Sequence, residues 1–201
     1  PRNFGIAPSR AAAALPAVRG RSAIVSGSCS EATNAQVAAF VAAGGGARRI
    51  DPLALARAGD ADVVGDVARW AEEEWKTRPE RPVLVYSTAA PGDVAAAQQQ
   101  GGAHDVGARL EALLAAVAVA FVERGVRRLV VAGGETSGAC VQALGVETLR
   151  IGAQIDPGVP WCHAAPPSAP DGILVALKSG NFGAVDFFSR AEKFLARNIG
   201  Q

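Results

Sequence analysis

The sequence predicts an α/β domain with a mainly parallel sheet flanked by helices, a Rossmann-like layered fold. Three observations predict it. Short runs rich in Val, Ile and Leu alternate with amphipathic stretches along the chain, which is how a parallel sheet covered by helices appears in sequence. Glycine, proline and small polar residues mark the joints between them. The 201 residues are 49% hydrophobic and 19% charged, which excludes a disordered chain, a collagen or a disulfide scaffold.

The first twenty residues hold Pro and Gly without a sustained period and read as a lead-in. Residues 21–201 then read as one domain. Arg21 to Ser26 is a buried strand running into a loop. A helix follows with Thr33 as its expected cap and Val37, Phe40 and Val41 on its apolar side. Gly44 to Gly46 stops it. Arg48 to Ile50 suggests a short strand closed by Asp51-Pro52. From Asp60, the residues Val63, Val64, Val67, Trp70, Ala71 and Trp75 draw a helical stripe that ends before Pro79.

Val83 to Tyr86 is the next strand, followed by a loop over Ser87–Gly92. Asp105 is the expected cap of a long helix carrying Leu110, Leu113, Leu114, Val117 and Phe121. Gly125 ends that helix, and Arg128 to Ala132 is a strand of the fully buried kind. A Gly-rich turn, a short helix through Leu144 and a strand from Glu147 to Ile151 come next. Asp156 to Pro160 is turn chemistry, and Pro166 to Pro170 is an expected exposed loop. Ile173 to Leu177 is a strand, and a helix with Phe187, Phe188, Ala191, Phe194 and Leu195 follows.

Charge and cysteine content narrow the function classes. Twenty basic against nineteen acidic residues leave a net charge of +1, so no electrostatic case exists for nucleic acid. No run of about eighteen apolar residues occurs, so no membrane span is expected. The nearest, Ala112 to Val122, is bracketed by Glu111 and Glu123. No signal peptide is expected, because Arg2 and Arg10 precede only a short run that Pro16 ends. Cys29, Cys140 and Cys162 are scattered without metal-ligand spacing, and they suit a reducing, cytoplasmic setting.

Ligands of such sheets sit outside the carboxyl ends of the strands, so the strand-to-helix loops are where chemistry is sought. Three of them share a composition: Ser26–Ser30, Gly133–Gly138 and Lys178–Gly183. Glycine lets backbone N–H groups approach a phosphate, and a helix N-terminus adds partial positive charge. The candidate nucleotide-binding residues are therefore Ser26, Ser28, Gly133, Gly134, Glu135, Thr136, Lys178, Gly180, Asn181 and Gly183. Gly133 to Gly138 has the G-x-x-x-x-G spacing of a P-loop, but Ala139 and Cys140 stand where Lys and Ser/Thr belong. The order also departs from the G-x-G-x-x-G dinucleotide fingerprint. No G-x-S-x-G elbow is present, and His104 and His163 lie in contexts that suit surface roles. Cys29 near a helix start lacks a partner base, and Trp161, Phe187 and Phe188 suit packing. Glu135 and Asp156 are the carboxylates that could serve magnesium through water, or could merely cap and turn.

At these loops the sequence resembles the four-carbon acid sugar kinase family. The resemblance is carried by Leu129–Gly138, Arg150–Gly152, Ile155–Trp161 and Ala176–Gly183, with Val25–Ser30 similar to the family's first nucleotide loop. In order, these cover the chain from about Ser22 to Phe194. The resemblance implies two lobes, an N-terminal one for the sugar acid and a C-terminal one for ATP. It implies phosphorylation of tetronates or 3-oxo-tetronates with ATP and Mg2+. Only the C-terminal, nucleotide-binding lobe is matched, since the family's Ala-Asp-Asp-Phe-Thr-Gly-like run is absent. Pro1 to Gly20 would then be the remnant of the interlobe connection. The expected partners are ATP or ADP and the sugar-acid lobe, with oligomeric state left open and a homodimer among the options. A non-catalytic adenine-nucleotide-binding or sensor module is the alternative, and an NAD-linked oxidoreductase is a third reading.

Overall fold

In the computed structural model, which describes residues 14–51, 60–87 and 103–198, the apolar runs form a seven-stranded sheet. In chain order the strands are β1 (Arg21–Ser26), β2 (Gly46–Arg49), β3 (Val83–Tyr86), β4 (Val126–Ala132), β5 (Arg150–Asp156), β6 (Val159–Ala164) and β7 (Ile173–Lys178). Their order in space is β2-β3-β1-β4-β7-β6-β5. The five strands from β2 to β7 pair parallel, and β6 joins β7 and β5 antiparallel. The described helices are α1 (Glu31–Ala42), α2 (Asp60–Thr77), α3 (Ala103–Glu123), α4 (Gly134–Ala143) and α5 (Phe187–Asn198). The mainly parallel, helix-flanked architecture is the one the alternation predicts.

Strand side chains alternate between two faces, and each face has its own core. Ala23, Val25, Leu129, Val131, Ile173 and Val175 face α2, α3 and α4, where they meet Ala71, Trp75, Leu114, Phe121 and Cys140. Ile24, Leu84, Val130, Leu174 and Ala176 face α1 and α5, where they meet Phe40, Phe187, Phe188 and Leu195. Trp75 and Phe121 pack edge to face with ring centroids 5.3 Å apart. Both faces of the central strands are buried, which is why β4 reads as an almost continuous apolar run.

Several boundaries differ from the sequence expectation, each for a local reason. Ser30 caps α1 in place of Thr33, because its extended backbone lets the hydroxyl accept from the Thr33 amide. Val41, expected on the apolar side of α1, is exposed. Strand β2 starts at Gly46, and Ile50 follows it as a buried residue whose amide donates to Tyr86 O at 2.8 Å. The strand expected over 147–151 lies instead at Arg150–Asp156. It is mostly exposed, so an apolar run does not mark it, whereas Val146 and Leu149 pack beneath the α2–α4 face.

The Asp156–Pro160 turn is tighter than expected. Pro157 and Gly158 alone make it, with Gly158 at φ +80°, and β6 begins at Val159. Trp161 and His163 therefore lie on a strand, the former buried with Nε1 donating to Ala191 O at 3.2 Å. Pro166 and Ala169 are buried within the loop that was expected to be exposed. Asp105 falls inside the first turn of α3 and not at its cap. The His104 side chain and the Ser87–Gly92 loop beyond Ser87 lie outside the described residues. No helix among the described residues is long and apolar enough to cross a membrane.

Phe121 is fully buried where α3 meets α2 and the sheet. Its replacement by alanine is expected to lower stability by about 3–5 kcal/mol, read as a lower urea midpoint with an unchanged slope.

Candidate functional site

The strand register brings three loops to one edge. Ser26 pairs with Tyr86 on one side and Ala132 on the other, and Ala132 pairs with Lys178. Those four residues form one row across the sheet, so the loops after β1, β4 and β7 leave side by side. The chain moves from β1 outward to β2 and β3, but from β4 it proceeds toward β7. α1 packs on one face and α4 on the other. The β1/β4 boundary is thus a topological switch point, where open α/β sheets bind ligands.

At that boundary the two loops are locked by one hydroxyl. Thr136 is buried, and its Oγ1 donates to Glu111 Oε1 on α3 at 3.2 Å. A Cβ on Gly133 would lie 2.7 Å from that Oγ1, and one on Gly27 would overlap it. Gly133 also adopts φ +128°, which side chains rarely tolerate. The threonine therefore faces inward to Glu111 and fixes the two glycine turns against each other. Burial pushes the Glu111 carboxyl up, partly offset by the Thr136 hydroxyl. Nearby, burial and Glu111 together raise the Cys140 thiol to about 12, which leaves it an inert core group.

The start of α4 is open. Gly133 supplies no side-chain cap, so the first amides of α4 lack the usual hydroxyl or carboxylate partner. Gly134 has nothing within 4 Å of a built Cβ, and Glu135 is exposed in the first turn. An uncapped helix start at a switch point attracts anions, because its amides and dipole both favour negative charge. This observation fits a phosphate group.

Lys178, one of the nucleotide-binding candidates, turns inward at the end of β7. It continues the Leu174–Ala176 row beneath α1 and is fully buried. Its Nζ donates to Thr33 Oγ1 at 2.9 Å, Ser179 O at 3.1 Å and Gly180 O at 2.9 Å. All three ammonium protons are spent within the fold. Gly180 O also accepts from Ser30 Oγ at 2.7 Å and Thr33 Oγ1 at 2.8 Å. Ser28 Oγ closes the cluster with a 3.2 Å bond to Ser30 Oγ. Three donors on one carbonyl hold the third loop against the first.

The remaining candidates separate by environment. Ser26 is buried at the end of β1, and its hydroxyl has no partner among the described residues; Ser87 at the end of β3 is alike. Asn181 and Gly183 lie in the loop after β7, close to α1. The Asp156 carboxylate is occupied, accepting from the Ala184 amide at 2.9 Å and pairing with Arg190. Cys29 is half-buried in the first loop. His163 sits on β6 against the Gly172 turn, apart from all three loops. Sequence reasoning missed Gln36, whose buried carboxamide reaches the third loop. One more polar residue in a helix that also carries Glu31, Thr33 and Asn34 gives no signal of that reach.

Burial pulls the Lys178 ammonium down from 10.5 to about 8. Unfolding restores the ordinary value, so between those pH values the unfolded chain binds more protons and stability rises with pH. Lys178→Met is expected to abolish that rise. Urea denaturation of both proteins at pH 8 and pH 10 measures it, and equal pH slopes would contradict it.

A family described as the nucleotide-binding C-terminal domain matches residues 23–188. The 3-oxo-tetronate kinase of Burkholderia multivorans is 51% identical over 199 residues, covering 97% of this chain and 44% of its own length. That of Pseudomonas fluorescens is 52% identical over 180 residues, covering 90% and 40%. A Haemophilus influenzae protein of known structure superposes with a TM-score of 0.77 at 32% identity, covering 89% of this chain and 41% of that one. The chain thus spans about two-fifths of the length of these relatives. The matched residues include all three loops at the switch-point edge. The chain belongs to the nucleotide-binding C-terminal domain family.

Proposed function

We propose that this chain is the ATP-binding part of a kinase that phosphorylates a four-carbon sugar acid of the 3-oxo-tetronate or tetronate class. The observation that carries the reading is the uncapped start of α4, open at the switch point between two glycine turns. The kinase names of the relatives support the acceptor class. The amides of Gly134 and Glu135, with Ser28 and the Asn181–Gly183 loop, would receive the phosphates, while Gly133 donates its own amide to Lys178 O at 2.8 Å and shapes the turn. Thr136, Lys178 and Gly180 act from behind by holding those loops in place, and Ser26 anchors the first of them. Residues 1–20 are assigned to the connection with a sugar-acid domain. Within it, Leu15 and Val18 pack against the α1/α5-face core.

Phosphoryl transfer depends on positioning and charge neutralisation more than on covalent chemistry from the protein. The γ-phosphoryl group passes to an acceptor hydroxyl, ADP leaves, and the hydroxyl proton goes to a base. That base and the acceptor site are assigned to the companion domain, because His163 stands away from the loops and Asp156 is bound to Arg190. The residues fit Mg2+ held chiefly by phosphate oxygens and water, with exposed Glu135 as the nearby carboxylate. Mg2+ would supply neutralisation of the phosphate charge. Unpaired Cys29, Cys140 and Cys162 accord with a cytoplasmic setting.

Gly134→Val tests the site cleanly, because open space around Gly134 lets the side chain fit without disturbing the fold. The variant is expected to keep its melting temperature within a few degrees. It should bind ADP at least tenfold more weakly by calorimetric titration, roughly 1.4 kcal/mol. Unchanged affinity would remove α4 from the site.

A second expectation concerns turnover. The chain alone should bind ATP yet release no ADP in response to four-carbon sugar acids, since positioning alone can be worth about 7–11 kcal/mol of barrier. Robust sugar-dependent ADP release by the purified chain would place the acceptor site within these residues. ADP binding without any transfer after the companion domain is supplied would favour a sensor module.

A further inference from the structure

The side of α1 that meets the third loop carries Ser30, Thr33 and Gln36, spaced three apart so that they stack along one helix face. All three engage backbone oxygens of that loop. Ser30 and Thr33 hold Gly180 O. Gln36 is 1% exposed, and its Nε2 donates to Phe182 O at 3.0 Å, Gly183 O at 2.9 Å and Ala184 O at 3.1 Å. The other end of its carboxamide, Oε1, is buried without a partner among the described residues. The side chain therefore accepts a polar cost, and what it gains is a fixed orientation of three successive carbonyls.

That orientation has a consequence on the opposite side of each peptide. In a trans peptide, the carbonyl of one residue and the N–H of the next point in opposite directions, and no described bond is cis. With the Gly180 and Phe182 carbonyls drawn toward α1, the N–H groups of Asn181 and Gly183 point away from it. Neither amide has a partner among the described residues. The Ala184 amide is held separately by Asp156. Two free amides two residues apart, in a loop that starts on the same row as α4, have the donor pattern that suits an anion.

We propose that Gln36 is a positioning residue for the nucleotide, holding the Phe182–Ala184 carbonyls so that the Asn181 and Gly183 amides face a phosphate group. Gln36 touches no ligand itself. The proposal rests on the nucleotide reading given above and extends it to a residue and two donor atoms. Gln36→Met keeps the length of the side chain but loses both N–H groups and the orphaned oxygen. The loop then keeps its anchors at Gly180 and Ala184 while the peptides between them are released.

The test uses 15N-labelled protein titrated with ADP, alongside Gln36→Met checked for folding by circular dichroism. The Asn181 and Gly183 amide resonances of the wild type are expected to shift on ADP addition and to gain protection from exchange. Folded Gln36→Met should bind ADP at least tenfold more weakly and lose the shifts at those two amides, while the Gly134 amide still responds. ADP binding that leaves the wild-type Asn181 and Gly183 amides unmoved would overturn the proposal while sparing the nucleotide reading. So would a folded Gln36→Met with wild-type affinity. If that variant fails to fold, the wild-type amide shifts decide alone. Absence of any ADP binding to the wild type would sink both readings together.

Discussion

The constraint on which the rest of the molecule depends is the parallel register that ends β1, β4 and β7 on a single row. Ser26, Ala132 and Lys178 are level because Ile24 pairs with Val130 and Val130 with Ala176. A shift of one residue would turn every side chain of a strand to the other face and exchange the two cores. It would also carry Lys178 from beneath α1 to the α4 side, where Leu177 now points. The apolar alternation of the central strands therefore specifies the site as well as the core.

Two polar locks convert that row into a shaped edge, and they work differently. The Thr136–Glu111 bond lies between helices on one face and presses two glycine turns together by steric fit. The Lys178 cluster on the other face gathers donors onto one carbonyl, and among the described residues the ammonium meets only neutral oxygens. A buried ammonium satisfied only by neutral oxygens carries a desolvation cost. Its three bonds tie Ser179 and Gly180 to α1 and so fix the start of the third loop.

Much of this was legible in the sequence, and the failures have physical causes. Strands β1, β3, β4 and β7 are buried on both faces, so their apolar runs give them away. Strand β5 is a mostly exposed edge whose Arg150 and Gln154 carry no such mark, so the pattern places the strand three residues early, at Glu147–Ile151. The three loops were found from glycine and hydroxyl content. The inward direction of Thr136, the burial of Lys178 and the reach of Gln36 could not be. Each depends on which neighbour the register supplies, a tertiary fact that composition does not encode.

The two-residue Pro157-Gly158 turn and the central β1/β4 pair also differ in how far along the chain their partners lie. Strands β5 and β6 meet across two residues, whereas Ile24 must find Val130 across α1, β2, α2, β3 and α3. Loop closure costs entropy that grows with the intervening length, and non-local parallel pairing is slow for that reason. The hairpin closes a two-residue loop, while the β1/β4 edge closes only when strands about a hundred residues apart join, at the upper end of that entropy cost. The edge that carries the three loops is therefore the part of the sheet whose pairing spans the most chain, and the outer hairpin the part that spans the least.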